Sequence, residues 1–172
     1  MYGTYETIDG KPAVRFERRY PHPVDRVWRA VTEPEQLAHW FPNSVEVDLR
    51  DGGRMHFAFP GGELDPMEGT VTALDPPRRF SFTWGDEHLH IELEPEAEGC
   101  RMRFTHVLST REQAARDAAG WHVCLDRLAD MLSGDAGEAP GTEATSEWSE
   151  HYEAYQRRGV PAGAEIPGGG DR

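Results

Sequence analysis

The chain has 172 residues and a formal net charge of −13, from 31 acidic and 18 basic residues. This charge repels phosphate backbones and anionic lipid surfaces, so we expect neither nucleic acid nor membrane as a partner. The hydrophobic content of 37% is enough for the core of one domain, but no run reaches the ~20 apolar residues that cross a bilayer.

The first part of the chain predicts a strand and two short helices. We expect residues 1–12 to be an extension, and alternating apolar and charged residues predict a strand over 13–20. Apolar residues then recur at helical spacing over 24–31, and a second short run of this kind ends at Pro42. The domain therefore begins at residue 13, with two short helices after its first strand.

Between Ser44 and Leu108 the apolar period changes to two, which predicts a series of strands. Groups rich in glycine or proline at 51–53, 60–62 and 75–77 are typical of the turns between them. Because these connections are short, we expect an antiparallel meander. With the first strand, the sheet is predicted to have six to seven strands.

A long helix is predicted after the strands, ending near Gly134. Ser109 with Glu112, or Thr110 with Gln113, can form a capping box at its start. Its apolar stripe comprises Ala114, Ala118, Trp121, Leu125, Leu128 and Leu132. A helix of this length lies across a whole sheet, so we predict an α+β fold in which a curved antiparallel sheet wraps around the long C-terminal helix.

Residues 135–172 are predicted to lie outside the domain, which spans 13–134. An acidic linker rich in glycine, alanine and proline comes first. A short helix over 146–158 has an aromatic edge, which we expect to pack on the domain or to form a homodimer. The residues from 161 onward have few anchors, so we expect them to be disordered.

Four segments of the sequence resemble the SRPBCC (START-like) superfamily. They are Val27–Phe41, Val47–Arg54, Gly69–Trp84 and Gly120–Leu132, and they stand in the order found in that superfamily. More narrowly, they resemble the C-terminal domain of the activator of the 90-kDa heat-shock protein ATPase. The resemblance covers residues 13–134 and implies the helix-grip fold.

The resemblance implies several functions. Many members are cups that hold hydrophobic molecules between the sheet and the long helix, so we expect a small hydrophobic or aromatic ligand, bound without a covalent step. One alternative is a co-chaperone-like, stress-response activator of the 90-kDa heat-shock chaperone. The eukaryotic activators carry a further N-terminal domain, which is not expected here because only residues 1–12 precede the first strand. The second alternative is an enzyme like the polyketide cyclases and dehydratases.

Large side chains on the inner faces of the sheet and the helix are expected to line the ligand cavity. Any one of them also fits an ordinary core position, but together they favour a cavity. The set is Trp40, Phe41, Phe57, Phe59, Met67, Trp84, Ile91, Phe104, His106, Trp121, Cys124, Leu125 and Leu128.

His106 is the titratable imidazole in this set, and its role is open. Imidazole titrates near neutral pH, so His106 can orient a ligand or act as a general acid or base. It also fits a core histidine bonded to a backbone carbonyl or to the Trp121 indole. No Gly-x-Ser-x-Gly elbow presents a nucleophile, and we assign no catalytic residue.

Neither a metal nor a cofactor is expected. His88 and His90 are two residues apart on a strand, as in some metal-binding pairs, but the neighbouring strands offer poor ligands such as Ser81 and Thr83. The glycine pairs of the hairpin turns do not precede a helix, so they are not phosphate-binding loops.

A cytoplasmic location is predicted from the cysteines and the N-terminus. Cys100 and Cys124 have no CxxC partner and lie in apolar segments, which suits a reducing compartment. The first residues lack the basic start and apolar core of a signal peptide.

Overall fold

A computed structural model of the chain describes residues 1–62 and 64–166. The strands are β1 (Thr4–Ile8), β2 (Lys11–Tyr20), β3 (Ser44–Val47), β4 (Arg54–Ala58), β5 (Met67–Asp75), β6 (Arg79–Trp84), β7 (Glu87–Glu96) and β8 (Gly99–Val107). The helices are α1 (Val24–Thr32), α2 (Pro34–Leu37), α3 (Ala114–Leu132) and α4 (Ser146–Arg157).

All eight strands of the described residues join one antiparallel sheet in the order β1-β2-β8-β7-β6-β5-β4-β3. Strands β3 to β8 are therefore a meander, and β2 returns to pair with the last of them. The register places Phe104 of β8 opposite both Phe16 of β2 and Ile91 of β7. Such cross-strand rows of apolar side chains form the inner face of the sheet.

Helix α3 lies in the concave face of the sheet, and this arrangement confirms the predicted α+β helix-grip fold. Every residue of the predicted apolar stripe is buried, from Ala114 to Leu132. A capping box formed by Thr110 and Gln113 lies just before α3, and it is one of the two pairs predicted from the sequence. Other residues of α3 are buried as well, including Ala115 and Val123, because α4 and the chain end cover its outer side.

The sheet has eight strands against the six to seven predicted, because part of the N-terminal extension forms β1. This edge strand pairs with β2 through a two-residue turn at Asp9 and Gly10, both of which have positive φ. Turns of this kind suit the twist of a hairpin, and Asp-Gly is a preferred sequence for them. The strand itself is half-exposed and short, so its apolar pattern is weak.

Residues after the domain are also more ordered than the sequence suggested. Helix α4 matches the predicted short helix, and it buries Trp148 and Tyr155 against α3 of the same chain. Beyond it, the Pro161 carbonyl accepts a hydrogen bond from Ala115 N–H at 2.8 Å, and Ala164 N–H donates to the Glu112 carbonyl at 3.1 Å. These bonds hold the start of the predicted tail along α3, and residues 167–172 lie outside the described residues.

Among the described residues, every helix is too short or too polar to span a bilayer.

Candidate ligand-binding site

A cavity of about 830 Å³ lies beside α3. Most of its walls come from the loop after β4, the β6–β7 turn, one side of α3, and the segment 140–148 that leads into α4, and Pro42, Ser109 and Gln113 complete them. The cavity therefore lies at one end of the sheet rather than in the space between the sheet and α3. That inner space is filled by aromatic packing, since the ring centroids of Phe104 and Trp121 are 4.7 Å apart.

Some of the predicted lining residues reach this cavity and others do not. Those that line it are Phe59, Met67, Trp84, Trp121 and Cys124. The others are at most 1% exposed, do not border the cavity and belong to the filled core: Trp40, Phe41, Phe57, Ile91, Phe104, His106, Leu125 and Leu128. The physical reason is that α3 sits directly on the inner face of the sheet, so only residues near the open end have space before them.

Trp84 and Trp121 form the aromatic floor of the cavity, with ring centroids 5.3 Å apart. Both indole N–H groups have partners inside the protein. Trp84 Nε1 donates to Asn43 Oδ1 at 2.9 Å, and Trp121 Nε1 donates to His106 Nδ1 at 2.9 Å. The floor therefore presents apolar ring faces and no free hydrogen-bond donor from its indoles.

His106 lies behind this floor and is fully buried. Because its Nδ1 accepts the indole hydrogen, the ring proton is on Nε2, which lies 2.5 Å from Glu87 Oε2. Both nitrogens are thus engaged, and the ring has no contact with the cavity. Of the two roles that the sequence left open, the structure places His106 in the bonded core arrangement with the Trp121 indole.

Glu87 is a charged group of the cavity wall that the sequence analysis missed. Its Oε1 accepts from Gln113 Nε2 at 2.7 Å and from Ser109 N–H at 3.2 Å, while Oε2 faces His106. Burial raises the pKa of this carboxyl, but the hydrogen bonds from His106, Gln113 and Ser109 outweigh burial and hold the pKa at about 2. Glu87 is therefore ionised throughout the physiological range.

Glu87, His106 and Asp117 place potential metal-ligand atoms within 4.8 Å of one another. Their chemistry does not suit a metal ion. The hydrogen bond from Trp121 to His106 Nδ1 keeps the proton on Nε2, and a protonated nitrogen has no lone pair for a metal. Asp117 is also paired with Arg116 at 2.7 Å.

His88 and His90, which were not expected to bind a metal, lie on β7. His90 Nδ1 is within 2.8 Å of Ser81 Oγ, and its ring centroid is 6.4 Å from that of His88. Burial lowers the pKa of His90, so its ring remains neutral.

The segment 140–148 closes the cavity on the side away from the sheet. Arg127 of α3 binds Glu147 at 2.9 Å, and Thr145 Oγ1 caps α4 by accepting from Trp148 N–H at 3.2 Å. Further along the linker, the Gly137 carbonyl lies 2.8 Å from His39 Nδ1. These contacts position a wall whose part before α4, residues 140–145, has neither strand nor helix periodicity and therefore could not be predicted from it.

Gly120 gives the cavity its space beside α3. A Cβ atom added there would meet only Trp148 Nε1, at 3.8 Å, which is ordinary contact. Glycine in a helix interior lowers stability by about 1 kcal/mol relative to alanine. Its presence inside a 19-residue helix is therefore a sign of the cavity that the sequence contained. Cys124 lines the same cavity, and burial raises the pKa of its thiol to about 12, so it acts as an apolar group.

Comparison with known proteins gives one family and several similar structures. A family described as "Activator of Hsp90 ATPase homolog 1-like protein" matches residues 21–133. No curated protein matches the sequence. The crystal structure of CalU16 from Micromonospora echinospora is 28% identical, with a TM-score of 0.70 over 90% of this chain and 94% of that chain.

Two further structures have the same fold. EF2215 from Enterococcus faecalis has a TM-score of 0.73 at 21% identity, over 91% of this chain and 89% of that chain. DynU16, from the dynemicin biosynthetic locus, has a TM-score of 0.64 at 26% identity, over 75% of this chain and 50% of that chain.

Proposed function

The chain belongs to the Activator of Hsp90 ATPase homolog 1-like family, and we propose that it binds a small hydrophobic or aromatic molecule in the cavity beside α3. Membership, shown over residues 21–133, confirms the resemblance to the activator branch. Proteins that share one fold can have many functions, so we infer a ligand from the cavity and not from the fold.

The observation that carries the proposal is an aromatic floor under a cavity of ligand size. The volume of about 830 Å³ falls in the range of roughly 300–1,000 Å³ that is usual for small-molecule sites. Trp84 and Trp121 offer ring faces whose N–H groups are already bonded. Such faces favour apolar or planar aromatic molecules, which gain from stacking.

The charges around the cavity disfavour an anionic ligand. Arg116 is paired with Asp117, and Arg127 with Glu147, so an anionic ligand would have to break an ion pair to find a cation. Glu87 accepts three hydrogen bonds, and a carboxylate has about four acceptor sites. One acceptor site therefore remains for a hydroxyl or N–H group of the ligand.

The same residues support binding without a covalent step. His106 has both nitrogens engaged and is not exposed to the cavity, so it is poorly placed to exchange a proton with a ligand. The Cys124 thiol is protonated at physiological pH and is a weak nucleophile. The origin of the similar DynU16 in a biosynthetic locus adds support for a small-molecule ligand.

Native mass spectrometry of the purified protein, followed by solvent extraction, tests this proposal. We expect a bound species with a discrete mass, released by the extraction and rich in apolar or aromatic carbon. The Gly120→Trp variant serves as the comparison, because its indole would occupy the cavity and should leave the protein without the extra mass. An extra mass that is the same in both proteins would place the ligand elsewhere and contradict the proposal.

A further inference from the structure

A second cluster of titratable side chains lies between α3 and α4, outside the cavity lining. His122 and Asp126 are one turn apart on α3, and His151 of α4 lies against them. One ligand atom from each residue lies within 4.8 Å of the other two. Two imidazoles and one carboxylate are a donor set that divalent transition metals prefer.

The spacing of His122 and Asp126 suits a metal better than a hydrogen bond. His122 Nε2 lies 3.8 Å from Asp126 Oδ2, which is too long for a hydrogen bond. With metal–ligand distances of about 2.0–2.2 Å, two ligands of a tetrahedral zinc ion lie about 3.3 Å apart. A small side-chain movement therefore brings both atoms to metal-binding distance.

The surroundings of His122 also fit a ligating imidazole. Its Nδ1 lies 2.8 Å from the Tyr155 hydroxyl oxygen, which also accepts Gly3 N–H at 2.9 Å. A proton on Nδ1, donated to that oxygen, leaves the Nε2 lone pair directed toward Asp126, as is usual for metal-bound histidines.

His151 is a partly exposed member of the cluster. Its ring is stacked on that of His122, with centroids 3.9 Å apart and an interplanar angle of 23°. Parallel rings cannot direct their lone pairs at one ion, so binding requires His151 to rotate about its side-chain bonds. Its partial exposure leaves room for that rotation.

Charges of both signs surround the cluster. Arg18 of β2 and the N-terminal amine oppose a cation, while Asp126 itself and the nearby Glu147 favour one. The carboxylates thus offset the two positive groups, and the two imidazoles provide the remaining donors.

We propose that His122, Asp126 and His151 bind a divalent transition-metal ion of the zinc class, which bridges α3 and α4. Three protein ligands leave a fourth position for water. Because α4 continues from the cavity wall at 140–148, the ion also fixes that wall. The proposal does not depend on the identity or presence of a ligand in the cavity.

Isothermal titration of the tag-free full-length protein with Zn²⁺ tests the site. We expect one ion per chain, and a loss of at least ten-fold in affinity for each of His151→Gln, Asp126→Asn and His122→Gln. The His151→Gln variant is the decisive one, because the side chain is partly exposed and the apo protein should keep its melting temperature. Zn²⁺ should raise the melting temperature of the wild type and leave that of His151→Gln unchanged.

His56→Gln is the matched control. His56 is on β4, and it also lies beside a carboxylate, because its Nδ1 is 2.6 Å from Glu68 Oε1. The variant should bind Zn²⁺ as the wild type does. Absence of saturable binding in the wild type would overturn the proposal. So would equal affinity of the wild type and His151→Gln, or a loss in His56→Gln as large as that in His151→Gln.

Discussion

At the scale of single residues, Glu87 determines the electrostatics of the cavity wall. A largely buried carboxylate is stable only when its oxygens are hydrogen-bonded, and His106, Gln113 and Ser109 provide those bonds. They hold the folded-state pKa at about 2, below the usual 4.5. A depressed folded pKa stabilises the protein above the unfolded-state value, and this stabilisation is lost as the pH falls from about 4.5 to about 2.

Glu87→Gln should lower the free energy of unfolding at pH 7 by about 1–3 kcal/mol, because the amide would set an NH₂ group against other donors. The variant should also lose less stability than the wild type between pH 5 and pH 3, since the titrating carboxyl is gone. Urea unfolding at the two pH values measures both effects. Glu68→Gln is the control, because the Glu68 side chain is 71% exposed. A pH dependence identical in wild type and Glu87→Gln would refute this role of Glu87.

At the scale of elements, α4 is fixed to the domain mainly through Tyr155. This side chain is fully buried, and its hydroxyl joins the N-terminal segment at Gly3 to α3 at His122. Burial raises the pKa of Tyr155 to about 12, so the hydroxyl stays neutral, and its oxygen accepts from Gly3 N–H and from His122 Nδ1. The position of the cavity wall before α4 thus depends on a contact remote from the cavity.

Tyr155→Phe should loosen α4 and the wall without removing any cavity residue. The loss of the hydroxyl leaves two buried polar groups without their partner, at a cost of about 1–3 kcal/mol. Hydrogen exchange over residues 140–157 should become faster than in the wild type. Tyr152→Phe, on the same helix and partly exposed, should leave exchange unchanged. If the two variants exchange alike, Tyr155 does not anchor the helix.

At the scale of the whole molecule, the sequence predicted the fold because its apolar periods are strong. The stripe of α3 marks the helix face that packs on the sheet, and the alternation along most of β4 to β8 marks the face of each strand that points inward. Strand β1 was missed because it is a half-exposed edge, and because the Asp9-Gly10 pair, a preferred hairpin dipeptide, was not used as a signal.

The cavity was predicted only in part, for a different physical reason. Periodicity identifies which residues face inward, but it does not say where packing is complete. Phe104 and Leu125 face inward and are fully packed, whereas Trp84 and Trp121 face inward at the open end. The part of the wall before α4, residues 140–145, has no periodic pattern, and the Arg127–Glu147 ion pair that helps to position it is a long-range contact.

The most direct measurement is a fluorescence titration with Nile red, a neutral aromatic dye, of the wild type, Gly120→Ala and Gly120→Trp. Alanine adds one methyl group in ordinary contact with Trp148, so this variant should bind as the wild type does and gain up to about 1 kcal/mol of helix stability. Tryptophan should fill the cavity and reduce affinity at least ten-fold while the protein remains folded. A wild type that binds no dye, or a Gly120→Trp variant that binds it as tightly, would contradict a ligand site beside α3.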